Sequence, residues 1–529
     1  MATVSTPSTS RAPAAPAKAA PVASVLASSP PDPFEIQTEP VSRGRIDDLV
    51  FDRLRRMGIK PAHPCSDAVF LRRAYLDVIG TVPTELEVQR FQQDQSSGKR
   101  AALIEALLAR DEFADYWALK WSDILRVKSE FPINLWPMAA QGYHRWIRTA
   151  IKENWPYDRF ARALLTASGS NFRDPQVNFY RALSSKKPDE ISRSVARIFM
   201  GVRSENWPKN RQDNMALFFS QIAYKATGEW KEEIVCFDPA KADLSAPPIV
   251  AITPDGTRAV LRPEADPRVH FCDWLISPQN QWFTLNIVNR VWCWLMGRGI
   301  IQEPDDIRPD NPPSNPILLG HLEHELVASR YDLKHIYRLI LNSQTYQLAS
   351  IARSTNPAAE ANFAQYSVRR LDAEVLIDAL DQITGTTEAY SSETPEPFTF
   401  IPEDQRSIAL ADGSITSSFL QLFGRPARDT GLESERNNRL TSSQRLHMLN
   451  SSHVQKKIQR GPSMVAIYQS SKNAIDYTDR LYVTILSRLP TEAERASSIE
   501  YAKAAGNLRT AAIDLAWALV NSPEFQCRH

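Results

Sequence analysis

The stretch Tyr75-Leu76-Asp77-Val78-Ile79-Gly80-Thr81-Val82-Pro83-Thr84-Glu85 has an echo near the other end of the chain, Tyr482-Val483-Thr484-Ile485-Leu486-Ser487-Arg488-Leu489-Pro490-Thr491-Glu492. In each, apolar residues spaced for a helix face run into a break, and Pro-Thr-Glu then opens a second helix. Thr84 is placed to cap free amides while Glu87, three residues on, reaches back, which is a capping box. Both units lead to an apolar helix and an acidic-Phe pair, Glu112-Phe113 and Glu524-Phe525. Any helix–turn–helix can converge on such a pattern, but the shared Pro-Thr-Glu-x-Glu in the same apolar phase favours duplication. Either origin commits the two ends of the ordered chain to helices packed on helices.

Helical spacing continues between them, through Phe70 to Ile79, Ala101 to Ala109, Glu112 to Lys128, Ala140 to Glu153 and Pro188 to Met200. One segment departs from it. Ile234 to Phe237 and Ile249 to Thr253 are β-branched, and Pro254-Asp255-Gly256 is a strong turn before Thr257 to Leu261, which reads as a hairpin. A chain of 529 residues exceeds one core. The expected fold is therefore mainly α, with two helical lobes and a small β-hairpin insertion between them. Residues 1–40 form an Ala/Pro/Ser-rich disordered tail, 41–227 the N-terminal lobe, 228–265 the insertion and 266–529 the C-terminal lobe. A Pro/Ser/Thr-rich loop interrupts the second lobe near Glu388 to Ser418.

Charge excludes little but points away from polyanionic partners. Lys and Arg number 62 against 61 Asp and Glu, so no global field recommends nucleic acid. No run of about 18 apolar residues marks a transmembrane segment. The tail's most apolar piece, Val22 to Leu26, is short and follows several prolines, so it makes a poor signal peptide. The five cysteines, Cys65, Cys236, Cys272, Cys293 and Cys527, are odd in number and widely spaced. They spell neither a disulfide framework nor a paired-thiolate metal site. Without Cys-x-x-Cys-His, covalent haem attachment is excluded, and no cofactor or metal is expected.

Longer motifs carry a resemblance. Phe70 to Thr84, then Glu112-Phe113, Tyr116-Trp117 and Lys120 to Leu125 resemble the cytochrome c-associated family of planctomycetes and related bacteria, domain of unknown function 1549. The second lobe resembles its companion, domain of unknown function 1553. It does so through Asp273 to Pro278, Asn289 to Trp292, Gly297 to Ile300, Asp305-Asp306, Pro312 to Pro316, Phe423 to Pro426, His447 to Asn450 and Asn521 to Phe525. The resemblance implies export to the cell envelope. It also exposes two departures. Relatives carry Cys-x-x-Cys-His after a Gly-Val helix end, where this chain passes from Gly201-Val202-Arg203 directly to Ser204-Glu205-Asn206-Trp207. They often carry Cys-x-Cys-Glu-Arg where this chain has Gly431 to Arg436 without cysteine. Together these imply a paralogue whose metal or haem function has gone.

The polar residues inside the matched motifs are the candidates for chemistry. Asp305 and Asp306 could serve as acid and base or hold a cation, although adjacent loop residues usually point apart. Arg290, in a helix rich in tryptophan, could clamp a carboxylate such as Asp306 or Glu435; a structural salt bridge locking two helices is the favoured account of it. His447 could act as a general base, yet no Gly-x-Ser-x-Gly elbow supplies a nucleophile. Glu435 and Arg436 complete this set. For binding, the candidates are Trp136 and Trp146, whose rings could stack on a partner or a sugar, with Arg298, Arg425 and Asn450. The expected function is a non-haem binding or assembly protein that docks a protein partner or a polysaccharide. The alternatives are a hydrolytic enzyme using the polar set and a redox-associated protein with a non-covalent cofactor.

Overall fold

Ser66 accepts a hydrogen bond from the Val69 amide and starts the helix Asp67–Val78. Gly80 ends the hairpin's first arm at φ +60°, in the left-handed region, and a Cβ there would meet the Tyr116 ring at 2.6 Å, so both torsion and space call for glycine. The helix Glu85–Gln93 then begins with the expected Thr84–Glu87 capping box. The second copy repeats the plan: the helix Ala474–Leu486 ends at Ser487 with φ +62°, and Glu492–Ala505 opens with a Thr491–Glu494 capping box. In both, one arginine ties the capping-box glutamate to the glutamate of the Glu-Phe pair. Arg110 bridges Glu87 and Glu112 at 2.7 and 2.5 Å, and Arg488 bridges Glu494 and Glu524 at 2.8 and 2.6 Å. These arginines come from different places in the two copies, so the ion pair is shared although its sequence position is not. The hairpins also meet, because Arg72 donates to the Ile485 and Phe525 carbonyls.

The computed structural model describes residues 32–241 and 248–529, so most of the expected tail lies outside the described residues. The fold is mainly α with only small sheets. Helices Lys99–Ala109, Asp111–Ile124 and Pro137–Lys152 follow the expected segments. The second of them stops four residues early, since Arg126 turns left-handed at φ +55° and Arg428 takes the Val127 carbonyl at 3.0 Å. Pro188 to Met200 is helical throughout but widens to a π-helix over Ala196–Met200, where the Asn286 side chain donates to the Ile198 carbonyl at 2.8 Å.

Of the β segments, Ile249–Ile252 (β4) and Arg258–Leu261 (β5) form the expected hairpin around Pro254-Asp255-Gly256. Glu233–Phe237 (β3) does not join it. It is the middle strand of a sheet in the order β1-β3-β2, with Gly169–Ser170 (β1) and Ile222–Ala226 (β2). Ordered structure thus crosses residue 228, and strand 233–237 is held by residues of the first lobe. A last antiparallel pair, Arg369–Arg370 (β6) with Cys527–Arg528 (β7), sets Arg369 beside Arg528 and Arg370 beside Cys527. The loop-rich stretch expected around Glu388 to Ser418 holds one short 3-10 turn, Ser407–Ala409, before the helix Ser418–Leu422.

Thr84→Ala and Thr491→Ala should each lower unfolding stability by about 1 kcal/mol through loss of a cap. Arg488→Met should cost more, since Glu494 and Glu524 would then face each other unneutralised. Urea unfolding followed by circular dichroism measures the order of these losses.

Candidate functional site

A web of buried charge joins the two lobes. Asp77, on the first hairpin, accepts hydrogen bonds from the Tyr346 and Tyr366 phenols at 2.9 and 2.8 Å and pairs with Arg369 and Arg528 at 2.9 and 3.1 Å. Asp372 caps no amide; its oxygens take Lys120 at 3.0 Å, Arg528 at 3.2 Å and the Asn438 amide at 2.7 Å. Arg436, a predicted catalytic residue, spans Asp123 at 2.6 Å and Glu374 at 2.7 Å. Arg425, a predicted binding residue, lies 3.5 Å from the same Glu374 and donates to the Asp412 and Ile415 carbonyls. Burial pushes the Asp372 carboxyl upward, but Lys120, Arg436 and Arg528 outweigh it and hold it well below the usual carboxylate range. These groups are spent on each other, which is structural work.

The other predicted catalytic residues do not converge. Arg290 pairs with the buried Asp305 at 2.7 Å and approaches the half-buried Glu433 at 3.8 Å, beside the helix Phe283–Met296. Its carboxylate partner is therefore Asp305, in place of the expected Asp306 or Glu435. Asp306 points the other way, to Arg308 at 3.2 Å. Glu435 accepts the Asp429 and Thr430 amides at 2.9 and 3.1 Å and stiffens its own loop. His447, on the helix Ser442–Asn450, sits with its Nε2 3.5 Å from His453 Nδ1 and its ring edge-on to Phe419 and Phe423. His453 in turn bonds Glu388 at 2.8 Å. Burial, then the neighbouring His453, lowers the His447 imidazole from its ordinary value.

The loop Asp305–Ile307 is held from two distant segments. The Ile307 amide donates to the Gly201 carbonyl at 2.9 Å, and the Glu433 amide donates to Asp305 at 2.7 Å. Burial pushes the thiols of Cys272 and Cys293 up to about 12, leaving them protonated at neutral pH. Among the described residues, no three His, Cys, Asp or Glu side chains gather in a metal-binding arrangement.

Two solvent-facing features stand out. One is a cavity of about 1100 Å³ lined by residues 302–304, 368–370, 436–440, 448–449 and 526–527, with Cys293, Glu433, Ser434, Arg445, Asn521 and Pro523. The other is an aromatic cluster in which Trp136 meets Trp230 edge-on at 4.6 Å and Phe398 at 5.2 Å, with the Lys231 ammonium above both indoles. Trp230 is 64% exposed and Phe398 45%. Trp146 is different: it packs on Phe160 and Trp155 at 5.2 and 5.8 Å as part of the core margin. Arg298 is half-buried and Asn450 exposed at its helix end. Sequence reasoning reached Trp136 but missed Trp230, Phe398 and Arg370, which stand outside any recognisable motif.

Residues 45–216 match the family model described as PSCyt2, protein of unknown function (DUF1549). Residues 267–502 match PSD1, protein of unknown function (DUF1553). Comparison with curated proteins and with solved structures gives no match. No helix of the described residues is long and apolar enough to cross a membrane.

Asp372→Asn should cost about 3–5 kcal/mol at neutral pH, because it strands Lys120 and Arg528 in the interior. A carboxyl held below its unfolded value of about 3.9 contributes stability above that pH and loses it as pH falls further. Wild-type melting temperature should therefore drop below about pH 4, and the variant, already destabilised, should show a flatter acid limb in the same scan.

Proposed function

The chain joins a PSCyt2 (DUF1549) domain to a PSD1 (DUF1553) domain, and on that premise we propose that it is a non-catalytic binding protein that docks a protein partner through the Trp136–Trp230–Phe398 cluster. The observation that carries this reading is the exposure of large aromatic side chains drawn from three separate segments onto one patch. Solvated aromatics lose free energy against water, at roughly 25 cal/mol per Å² of apolar surface, and such contiguous patches mark interaction sites. Trp, Phe and Met are the residues enriched at interface cores, and Met138, also exposed, belongs to the same segment as Trp136.

A protein surface fits better than a polysaccharide. The rings stand edge-on to one another, which leaves clefts for apolar side chains where a sugar would need coplanar faces. The Lys231 ammonium lies over both indoles and covers faces on which a sugar ring would stack. The hydrolytic alternative lacks support from geometry, since Arg290, Asp305, Asp306, Glu435, Arg436 and His447 are distributed over separate contacts.

A photo-crosslinking residue at position 398, introduced in the native cells, should give a discrete adduct that the same residue at exposed Val41 does not. Trp230→Ala and Trp136→Ala should abolish it, each costing about 2 kcal/mol or some thirtyfold in affinity, as interface aromatics do. No adduct, or one indifferent to both substitutions, would overturn the reading. Retention on a glycan array that Trp230→Ala removes would assign the patch to saccharide instead.

A further inference from the structure

Arginine dominates the wall of the large cavity. Five arginines, at 369, 370, 436, 439 and 445, face two glutamates, 303 and 433. Arg369 and Arg436 are neutralised from below by Asp77, Asp123 and Glu374. Glu433 is turned aside, accepting from the Trp294 indole at 3.1 Å and lying near Arg290. Glu303 stands exposed at the rim. Arg370, Arg439 and Arg445 therefore have no carboxylate partner among the described residues.

Surface arginines are often solvated and idle, but Arg370 is positioned. It is half-buried, and its guanidinium donates to two neutral amides, Gln444 Oε1 at 2.9 Å and Gln526 Oε1 at 3.3 Å. Those amides are themselves fixed. Gln444 closes the capping box of its helix, accepting the Thr441 amide at 3.2 Å while its NH2 donates to the Leu422 carbonyl at 2.9 Å. Gln526 donates to the Val520 carbonyl at 3.2 Å. Neutral supports orient the guanidinium without consuming its charge. Burial lowers the Arg370 guanidinium, and Arg445 close by lowers it further while the Cys527 thiol opposes. Arg370 and Arg445 thus line one concave surface, each without a carboxylate partner among the described residues, an arrangement that an incoming anion relieves.

We infer that this cavity is a binding site for a small organic anion carrying two or more oxyanion groups, with Arg370 and Arg445 holding one group and Arg439 another. Phosphate, sulfate and carboxylate share the geometry that guanidinium forks match. A volume of about 1100 Å³ is ample for such a molecule, and Val368, Met448 and Leu449 offer apolar wall to its carbon skeleton. The site lies apart from the aromatic patch and does not depend on it.

Isothermal titration of the whole protein at low ionic strength, with pyrophosphate and separately with citrate, tests this. At least one should bind with one-to-one saturation that weakens as salt rises. Arg370→Gln and Arg445→Gln should each reduce affinity about tenfold, the loss of one charge-assisted hydrogen bond. Arg439→Gln, at an exposed position where folding is not at stake, should weaken binding too, while Arg145→Gln on a distant exposed helix face should not. Pyrophosphate alone would assign phosphate chemistry, and citrate alone carboxylate. Absence of binding by both, or equal affinity in wild type and all three cavity variants, would overturn the inference.

Discussion

Asp77, Asp123, Asp372 and Glu374 sit in the join between the lobes, where a carboxylate left unpaired would cost several kcal/mol. Their partners therefore determine how the rest of the chain must run. Strands β6 and β7 pair in the one register that brings Arg369 and Arg528 together over Asp77; a slip of one residue would turn both guanidinium groups away. The segment from Arg425 to Asn438 is pulled across the end of the helix Asp111–Ile124, because Arg428 and Arg436 both close on Asp123. Set against an apolar replacement, such pairs give little net stability. One hydrophobic core already runs through both halves of the chain, and the buried ion pairs fix which polar groups meet within it.

Features decided within one turn of chain were legible in the sequence. Thr84 and Glu87 announce their helix because a capping box needs nothing beyond those residues, and Pro254-Asp255-Gly256 announces its hairpin for the same reason. Strand 233–237 was legible as a strand but its partners were not, since β1 lies more than sixty residues upstream. The end of the helix at Ile124 depends on Arg428 and the π turn at Ala196–Met200 on Asn286, both distant in sequence. The candidate site divides in the same way. That Asp305 and Asp306 point apart follows from adjacency, yet which of them meets Arg290 is a tertiary fact. Arg370 and Arg445 carry no motif; only the density of arginine from 436 to 445 hinted at a cationic wall.

Gly201 and Glu433 stand on opposite sides of one loop, Asp305–Ile307. The Ile307 amide donates to the Gly201 carbonyl on one flank, the Glu433 amide donates to the Asp305 carboxylate on the other, and the Arg290–Asp305 pair locks the loop inward. A Cβ added at Gly201 would stand 2.6 Å from Ile307, so the close approach of the two segments needs glycine there.

Each of the two surfaces takes part of its lining from the same long loop-rich stretch between the helices Ala373–Thr384 and Ser442–Asn450. Phe398 and Phe400 stand near its start and Arg436 and Arg439 near its end. Between them the stretch has little secondary structure of its own, so its course is dictated by side chains: Arg425 on Glu374, Arg428 on Asp123, and Asp412 on the Ser129 amide at 2.9 Å. Loops placed in this way can present recognition groups with the precision of a helix while remaining free to vary in sequence. The charge web is thus the mount for both surfaces, and a substitution within it should disturb the aromatic patch and the arginine wall together.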